Sequence, residues 1–218
     1  MKLSQLAVTM GLALVALSAQ AGPNLVTNGS FEYTTSATTP GQTPGSWNVY
    51  KSIIGWTGNP NIEVRDKVAG IAQDGGNFVE LDTHKTSYSS VTNSSMYQDI
   101  LGTGYVNLSF WYSARPNTNA GTNDLGVQFG SFSATVLNGV GNSTSLHKWQ
   151  QFTLNNFKLD NDGSTRLTFS ALGKQDTYGG SLDNVIVTAV PEVETYAMML
   201  AGLGLMGTIV RRRKSKAA

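Results

Sequence analysis

The segment Tyr105-Val106-Asn107-Leu108-Ser109-Phe110-Trp111-Tyr112-Ser113-Ala114-Arg115 decides the fold class. Successive side chains of an extended chain point to opposite faces, so Val106, Leu108, Phe110, Tyr112 and Ala114 share one side. Tyr105, Asn107, Ser109, Trp111, Ser113 and Arg115 share the other, which is polar but carries aromatics. Such alternation marks a strand with one face in a core; a helix would need apolar residues three and four apart. The same period recurs between turn residues in Ile62–Arg65, Phe78–Asp82, Met96–Ile100, Leu125–Phe129, Phe132–Leu137, Trp149–Leu154, Arg166–Leu172 and Asn184–Ala189. No amphipathic stretch of helical length separates them. Nine strands divided by Gly and Asn turns predict an all-β protein, an antiparallel β-sandwich. Thr34–Gly45, rich in Thr, Ser, Pro and Gly, reads as a solvated loop. Asp160-Asn161-Asp162-Gly163 reads as a hairpin turn, because an EF-hand loop needs Glu at its twelfth position, where Ala171 stands.

Composition narrows the function classes. The 218 residues include no cysteine, which excludes disulfide scaffolds and cysteine-held metal sites. Hydrophobic residues make up 40%, enough for a core, while the 13% charged residues are about half of the ~25% usual in soluble domains. The net charge of +1 is unevenly spread: five basic residues follow Val210, one is Lys2, and Gly22 to Val190 holds nine basic against twelve acidic residues. This middle stretch is mildly acidic, which argues against nucleic acid as a partner.

Both ends read as addresses. Met1–Ala21 has Lys2, an apolar run from Leu6 to Leu17 and the small-residue box Ser18-Ala19-Gln20-Ala21, the pattern of a signal peptide cut by signal peptidase after Ala21. At the other end, uncharged Tyr196–Val210 is followed at once by Arg211-Arg212-Arg213-Lys214. The pattern predicts a single hydrophobic helix with its cations on the cytoplasmic side of the inner membrane. Val190-Pro191-Glu192-Val193-Glu194-Thr195-Tyr196-Ala197, the apolar run and the Arg cluster together resemble the PEP-CTERM sorting signal of exopolysaccharide-producing Gram-negative bacteria. Val193 stands where that signal has its second proline. The resemblance assigns Pro191, Glu192, Arg211, Arg212 and Arg213 to the sorting motif. It implies processing by an exosortase, transient residence in the inner membrane, and delivery to the cell surface or extracellular matrix. The expected organisation is a signal peptide at 1–21, a β-sandwich at 22–189 and the sorting signal at 190–214.

The middle domain carries a second resemblance. Asn24-Leu25-Val26-Thr27-Asn28-Gly29-Ser30-Phe31-Glu32 resembles the opening of galactose-binding-like jelly rolls, a group that includes carbohydrate-binding modules. Ile54-Gly55-Trp56, Phe78 to Asp82, Met96 to Asp99 and Ser181-Leu182-Asp183-Asn184-Val185 follow in the order expected of that group. In many of its members a structural calcium ties the first strand to the last, and Glu32 and Asp183 match the two acidic positions. Calcium takes about six to eight oxygens, so backbone carbonyls, Asn or water would complete the set. The alternative is that Glu32 caps a turn and Asp183 hydrogen-bonds backbone.

For sugar binding, an aromatic face stacks on C–H surface while amides and charges bond hydroxyls. Trp111, Asn107 and Arg115 on the polar face of the long strand meet that description, with Gln128 beside them if the next strand pairs as a hairpin. Tyr88 and Tyr178, in polar loops, suit a rim; Trp47, Trp56 and Trp149 read as core or turn packing. No catalytic residue is assigned: His84 and His147 are the only histidines, and no nucleophile elbow or phosphate loop is present. Glu80 and Asp82 would stand ~7 Å apart on one strand face, a weak basis for a glycosidase pair. The expected function is non-catalytic binding of polysaccharide or matrix components. A structural or adhesion role without a sugar pocket is the alternative, and a glycan-active enzyme or an ice-binding protein is a lesser one.

Overall fold

The computed structural model describes residues 22–36, 42–85, 90, 92–191, and 202, 204 and 206. Ten antiparallel strands make up the domain: β1 (Ser46–Ile53), β2 (Trp56–Asp66), β3 (Asn77–Glu80), β4 (Ser95–Leu101), β5 (Tyr105–Ser113), β6 (Leu125–Phe129), β7 (Phe132–Val136), β8 (Gln150–Lys158), β9 (Ser164–Ala171) and β10 (Ser181–Ala189). Their hydrogen-bonded order is β7-β6-β9-β4-β2-β3-β10-β5-β8, with β1 added along β2. Each of the nine expected strands is present. The tenth, β1, was not among the strands expected from the sequence.

The sheet curls until its two ends lie face to face. Phe110 of β5 packs edge-on against Phe169 of β9 at 5.0 Å, Phe129 of β6 lies 4.9 Å from Phe157 of β8, and Phe132 of β7 lies 6.0 Å from Phe152 of β8. None of these pairs is adjacent in the strand order. β2 makes the fold possible by serving both layers: Thr57–Asn59 pair with β4, while Glu63–Asp66 pair with β3. The alternation in β5 places Val106, Leu108 and Phe110 fully inside, where they meet Met96, Ile100, Leu167, Leu182 and Val187. Full burial of such a side chain contributes about 1.5–3 kcal/mol. The antiparallel sandwich expected from the sequence is therefore the architecture observed.

The opening motif locks the first residues to the last strand. Asn24 Oδ1 accepts the N–H of Val26 and of Val187, and Asn24 pairs with Thr188. Asn28 bridges to Tyr33 and Ile54, and Phe31 is fully buried beside Trp56. Among the described residues no helix is long and apolar enough to cross a membrane. The expected signal peptide at 1–21 lies outside them, as does most of the expected C-terminal helix, of which Gly202, Gly204 and Met206 are helical.

Candidate functional site

Two loops meet at one end of the sandwich. Residues 114–124 connect β5 to β6, and residues 172–180 connect β9 to β10. The first is organised by buried Asn123, whose side-chain amide donates to Thr118 Oγ1 and to the carbonyl of Val140, while its Oδ1 accepts the Arg115 N–H. A turn-forming amide used in this way replaces the backbone partners that a loop lacks. The second loop is held by acids on and beyond β3. Asp82 Oδ2 accepts the N–H groups of Asp176 and Tyr178, and Glu80 Oε1 accepts that of Gly179. Thr122 ties the loops together, its hydroxyl 2.6 and 2.7 Å from the two carboxylate oxygens of Asp176.

Arg115 completes the arrangement from below. Its Nη1 donates to Glu80 Oε1 at 2.7 Å and to the Thr177 carbonyl at 3.0 Å, and the guanidinium lies 4.4 Å from the centre of the Tyr178 ring. Thr177 sits at φ 68°, a left-handed conformation costly for a β-branched residue. Tyr178 is 48% exposed. Around it lies an open cavity of about 240 Å³ lined by Asn117, Thr118, Asn119, Thr122, Lys174 and Asp176. An exposed aromatic ring, two amides, two hydroxyls, one cation and one carboxylate therefore converge on one concavity.

Deeper on the same sheet face, Glu63, Arg65 and Glu80 are buried in one charged cluster. Arg65 pairs with Glu63 and, at 3.3 Å, with Glu80, while Glu63 Oε2 accepts from His84. Burial pushes Glu80 up to about 7, opposed by the attraction of Arg65 and Arg115. Asp82 is also raised, chiefly by desolvation. Neither acid faces the open cavity as a catalytic pair would, and both serve to fix the loop that presents Tyr178.

The residues expected to bind sugar do not gather as expected. Trp111 and Asn107 lie on β5, half-buried; Trp111 stands between Asp183 of β10 and Gln151 of β8, and Asn107 accepts the N–H of Asn156. Arg115 lies beyond the end of β5 and is committed to Glu80 and Tyr178. Gln128 is on the other layer, because β6 pairs with β7 and β9 rather than folding back on β5. Trp56 is buried in the core, whereas Trp47 is 40% exposed and stacks on His84 at 4.2 Å, so it is not a core residue. Tyr178 is at a cavity rim, and Tyr88 lies outside the described residues. Asn117, Asn119, Lys174 and Asp176 were not singled out by the sequence, although the Asn- and Thr-rich run from Asn117 to Asn123 was the available signal.

Glu32 and Asp183 both reach the loop at residues 73–77. Glu32 Oε1 accepts the N–H groups of Gly76 and Asn77. Asp183 Oδ2 accepts those of Gln73 and Asp74, and its Oδ1 that of Asn184. Gly75, at φ 66°, leaves the space that Glu32 occupies. Among the described residues no three acidic or histidine side chains converge as metal ligands. The N–H groups on Glu32 Oε1 and on both Asp183 oxygens are the contacts that the turn-capping alternative describes. Burial raises Asp183 to about 8, against the three N–H groups that favour its charged form. Of the sorting residues, Pro191 is described and exposed, while Glu192, Arg211, Arg212 and Arg213 are outside the described residues.

Comparison with solved structures gives likenesses of fold. The chain is 14% identical to a Stig cyclase from Fischerella sp. TAU over 78% of its own length and 98% of the cyclase, with a TM-score of 0.55. It is 16% identical to the carbohydrate-binding module TmCBM61, solved with β-1,4-galactotriose, over 78% of this chain and all of the module, with a TM-score of 0.48. A xylan-binding CBM22-1 domain from Paenibacillus barcinonensis is 14% identical over 81% of this chain and all of the domain, with a TM-score of 0.42. No curated protein matches the chain. Residues 189–214 match the family described as the PEP-CTERM protein-sorting motif. The chain thus carries a PEP-CTERM protein-sorting motif at residues 189–214, directly behind an antiparallel β-sandwich.

Proposed function

We propose that this protein is a non-catalytic, exosortase-sorted surface or matrix protein that binds polysaccharide at the cavity under Tyr178. The observation that carries the reading is the presentation of Tyr178: an exposed ring fixed from behind by Arg115, beside Asn117, Asn119 and Lys174. The ring offers a face to sugar C–H groups, and the amides and the ammonium bond hydroxyls. Buried Glu80 and Asp82 hold the loop backbone at Asp176, Tyr178 and Gly179, which keeps the ring in place. The sorting motif implies export through an exosortase, with membrane anchoring beforehand; the surface or matrix is the destination this reading adds.

A polysaccharide panel that includes galactan, xylan and bacterial exopolysaccharide tests it with the purified full-length chain. Binding should fall about three- to tenfold in Tyr178→Ala, the equivalent of one lost stacking contact. Absence of binding across the panel, or equal binding by Tyr178→Ala, would overturn the reading in favour of a structural role.

A further inference from the structure

The Tyr178 cavity and the sorting motif lie at opposite ends of one strand. In the ladder of β10 with β5, Ser181 is opposite Ser113 at one end and Ala189 is opposite Val106 at the other. Ser113 and Ser181 border residues 114–124 and 172–180, the two loops that build the cavity. Ala189, Val190 and Pro191 are the first residues of the sorting motif. Nine residues at a strand rise of ~3.3 Å separate the two ends by ~30 Å.

The end that carries the motif is closely knit. Val190 N donates to the Tyr105 carbonyl at 2.8 Å, Leu159 N to that of Gly104 at 2.9 Å and Gly102 N to that of Gly163 at 3.0 Å. These bonds join the exit of β10 to the turn at 102–104 and the loop at 159–163, so the strand is held in the sheet up to Val190. Only four residues, Glu192 to Thr195, separate Pro191 from the uncharged run Tyr196–Val210, and four residues span at most ~14 Å. In a chain anchored through that run, this end of the sandwich stands beside the bilayer. Leu101 and Tyr105, 71% and 46% exposed, flank the turn at 102–104, and a tyrosine ring favours the membrane–water boundary. The rest of the body has no affinity of charge for a membrane. Gly22 to Val190 holds nine basic against twelve acidic residues, and Asp160 and Asp162 are exposed in the loop at the same end. Anionic lipid attracts basic clusters and repels acidic surface, which keeps the sandwich from lying flat.

We propose that the protein binds polysaccharide while it is still anchored: the sandwich stands on its 102–104 and 159–163 end, and the Tyr178 cavity faces away from the bilayer, ~30 Å or more above it. The anchored form is a tether that holds the polymer at the membrane, and sorting carries protein and bound polymer together. Because the sorting motif follows the last ladder residues of β10, loss of the anchor leaves the two cavity loops unaltered. The proposal rests on the polysaccharide reading of the Tyr178 cavity and extends it to when and where the ligand is bound.

The full-length protein in nanodiscs of phosphatidylethanolamine and phosphatidylglycerol tests the tether. The chain has no cysteine, so Thr103→Cys and Ser143→Cys each supply a single thiol for a fluorescent donor. Thr103 is exposed in the turn at the motif end, and Ser143 is exposed next to Asn142, which pairs with Thr118 at the cavity. Energy transfer to acceptor-labelled lipid should be strong from Thr103 and weak from Ser143. Affinity for galactan, xylan or bacterial exopolysaccharide should agree within about twofold between nanodiscs and detergent micelles, and Tyr178→Ala should lose about three- to tenfold in both. Equal transfer from the two positions, stronger transfer from Ser143, or failure of the chain to enter the discs overturns the anchored arrangement. Binding in micelles that weakens about tenfold or more in the discs overturns the tether and leaves the Tyr178 site standing. Absence of binding in both media overturns the polysaccharide reading and the tether with it.

Discussion

Arg115 and Glu80 form an ion pair, Nη1 to Oε1 at 2.7 Å, with Glu80 fully buried and Arg115 at 12% side-chain exposure. The pair joins the end of β5 to β3, and the same Glu80 oxygen takes the Gly179 N–H. Removing the cation leaves a buried carboxylate with Arg65 as its remaining charged partner. Arg115→Ala should therefore cost about 3–5 kcal/mol of stability, the usual penalty for breaking a buried pair from one side. Arg115→Lys should recover only part of it, since an ammonium cannot reach Glu80 and Thr177 while stacking flat on Tyr178. Denaturant titration of the two variants checks both statements.

The closure of the sandwich is tested at Phe110, which touches Phe152 at 4.8 Å in its own layer and Phe169 at 5.0 Å across the core. Phe110→Ala should destabilise by about 3–5 kcal/mol through lost burial and the cavity left behind. Trp47→Ala removes a larger ring, but one that stacks on the surface, and should cost clearly less in the same denaturant titration.

Glu32 and Asp183 yield a prediction about calcium. Because both acids terminate on N–H groups of residues 73–77, adding calcium or a chelator should move the melting temperature by no more than about 1 °C. Asp183→Asn would turn one acceptor oxygen into a donor facing backbone donors, and should cost about 1–3 kcal/mol. A calcium-dependent rise of several degrees that Glu32→Gln abolishes would contradict this account.

The fold was legible because most strands bury one face, and burial writes period two into the sequence. β1 escaped notice for the same reason: Ser46–Ile53 lies at an edge, pairs only with β2, and places just Ile53 fully inside. The site was less legible, since its residues meet through sheet order. Arg115 was visible as a polar-face residue, but Glu80 and Tyr178 reach it from elsewhere in the chain. Gln128 was misplaced because hairpin pairing is a local assumption, whereas β6 joins β9. Tyr178 was readable on its own, as an aromatic in a polar loop has no core to enter.

His147 gives the last prediction, on pH. Its Nδ1 lies 2.9 Å from the Ile71 carbonyl, which can only accept, so Nδ1 carries the proton and Nε2 accepts from the Ser181 hydroxyl. Phe78 and Trp149 enclose the ring, and burial lowers His147 to about 4, with Arg115 and Arg65 adding repulsion against the Ile71 hydrogen bond. The unfolded chain takes up this proton near pH 6.5 and the folded one only near 4. Stability from His147 is therefore complete above about pH 6.5 and is lost as pH falls towards 4. Glu80 acts oppositely: the folded protein keeps its proton up to about 7 and the unfolded chain releases it near 4.5, so stability declines as pH rises between them. The two slopes oppose each other between about pH 4.5 and 6.5, and single variants separate them. Asp183 and Asp82, also raised by burial, add to the decline with rising pH, so relative to the parent His147→Gln should make stability fall more steeply across that window and Glu80→Gln less steeply. Melting curves of both variants from acid to neutral pH would show slopes changed in opposite directions from that of the parent protein; curves parallel to the parent would mean that neither group titrates differently on folding.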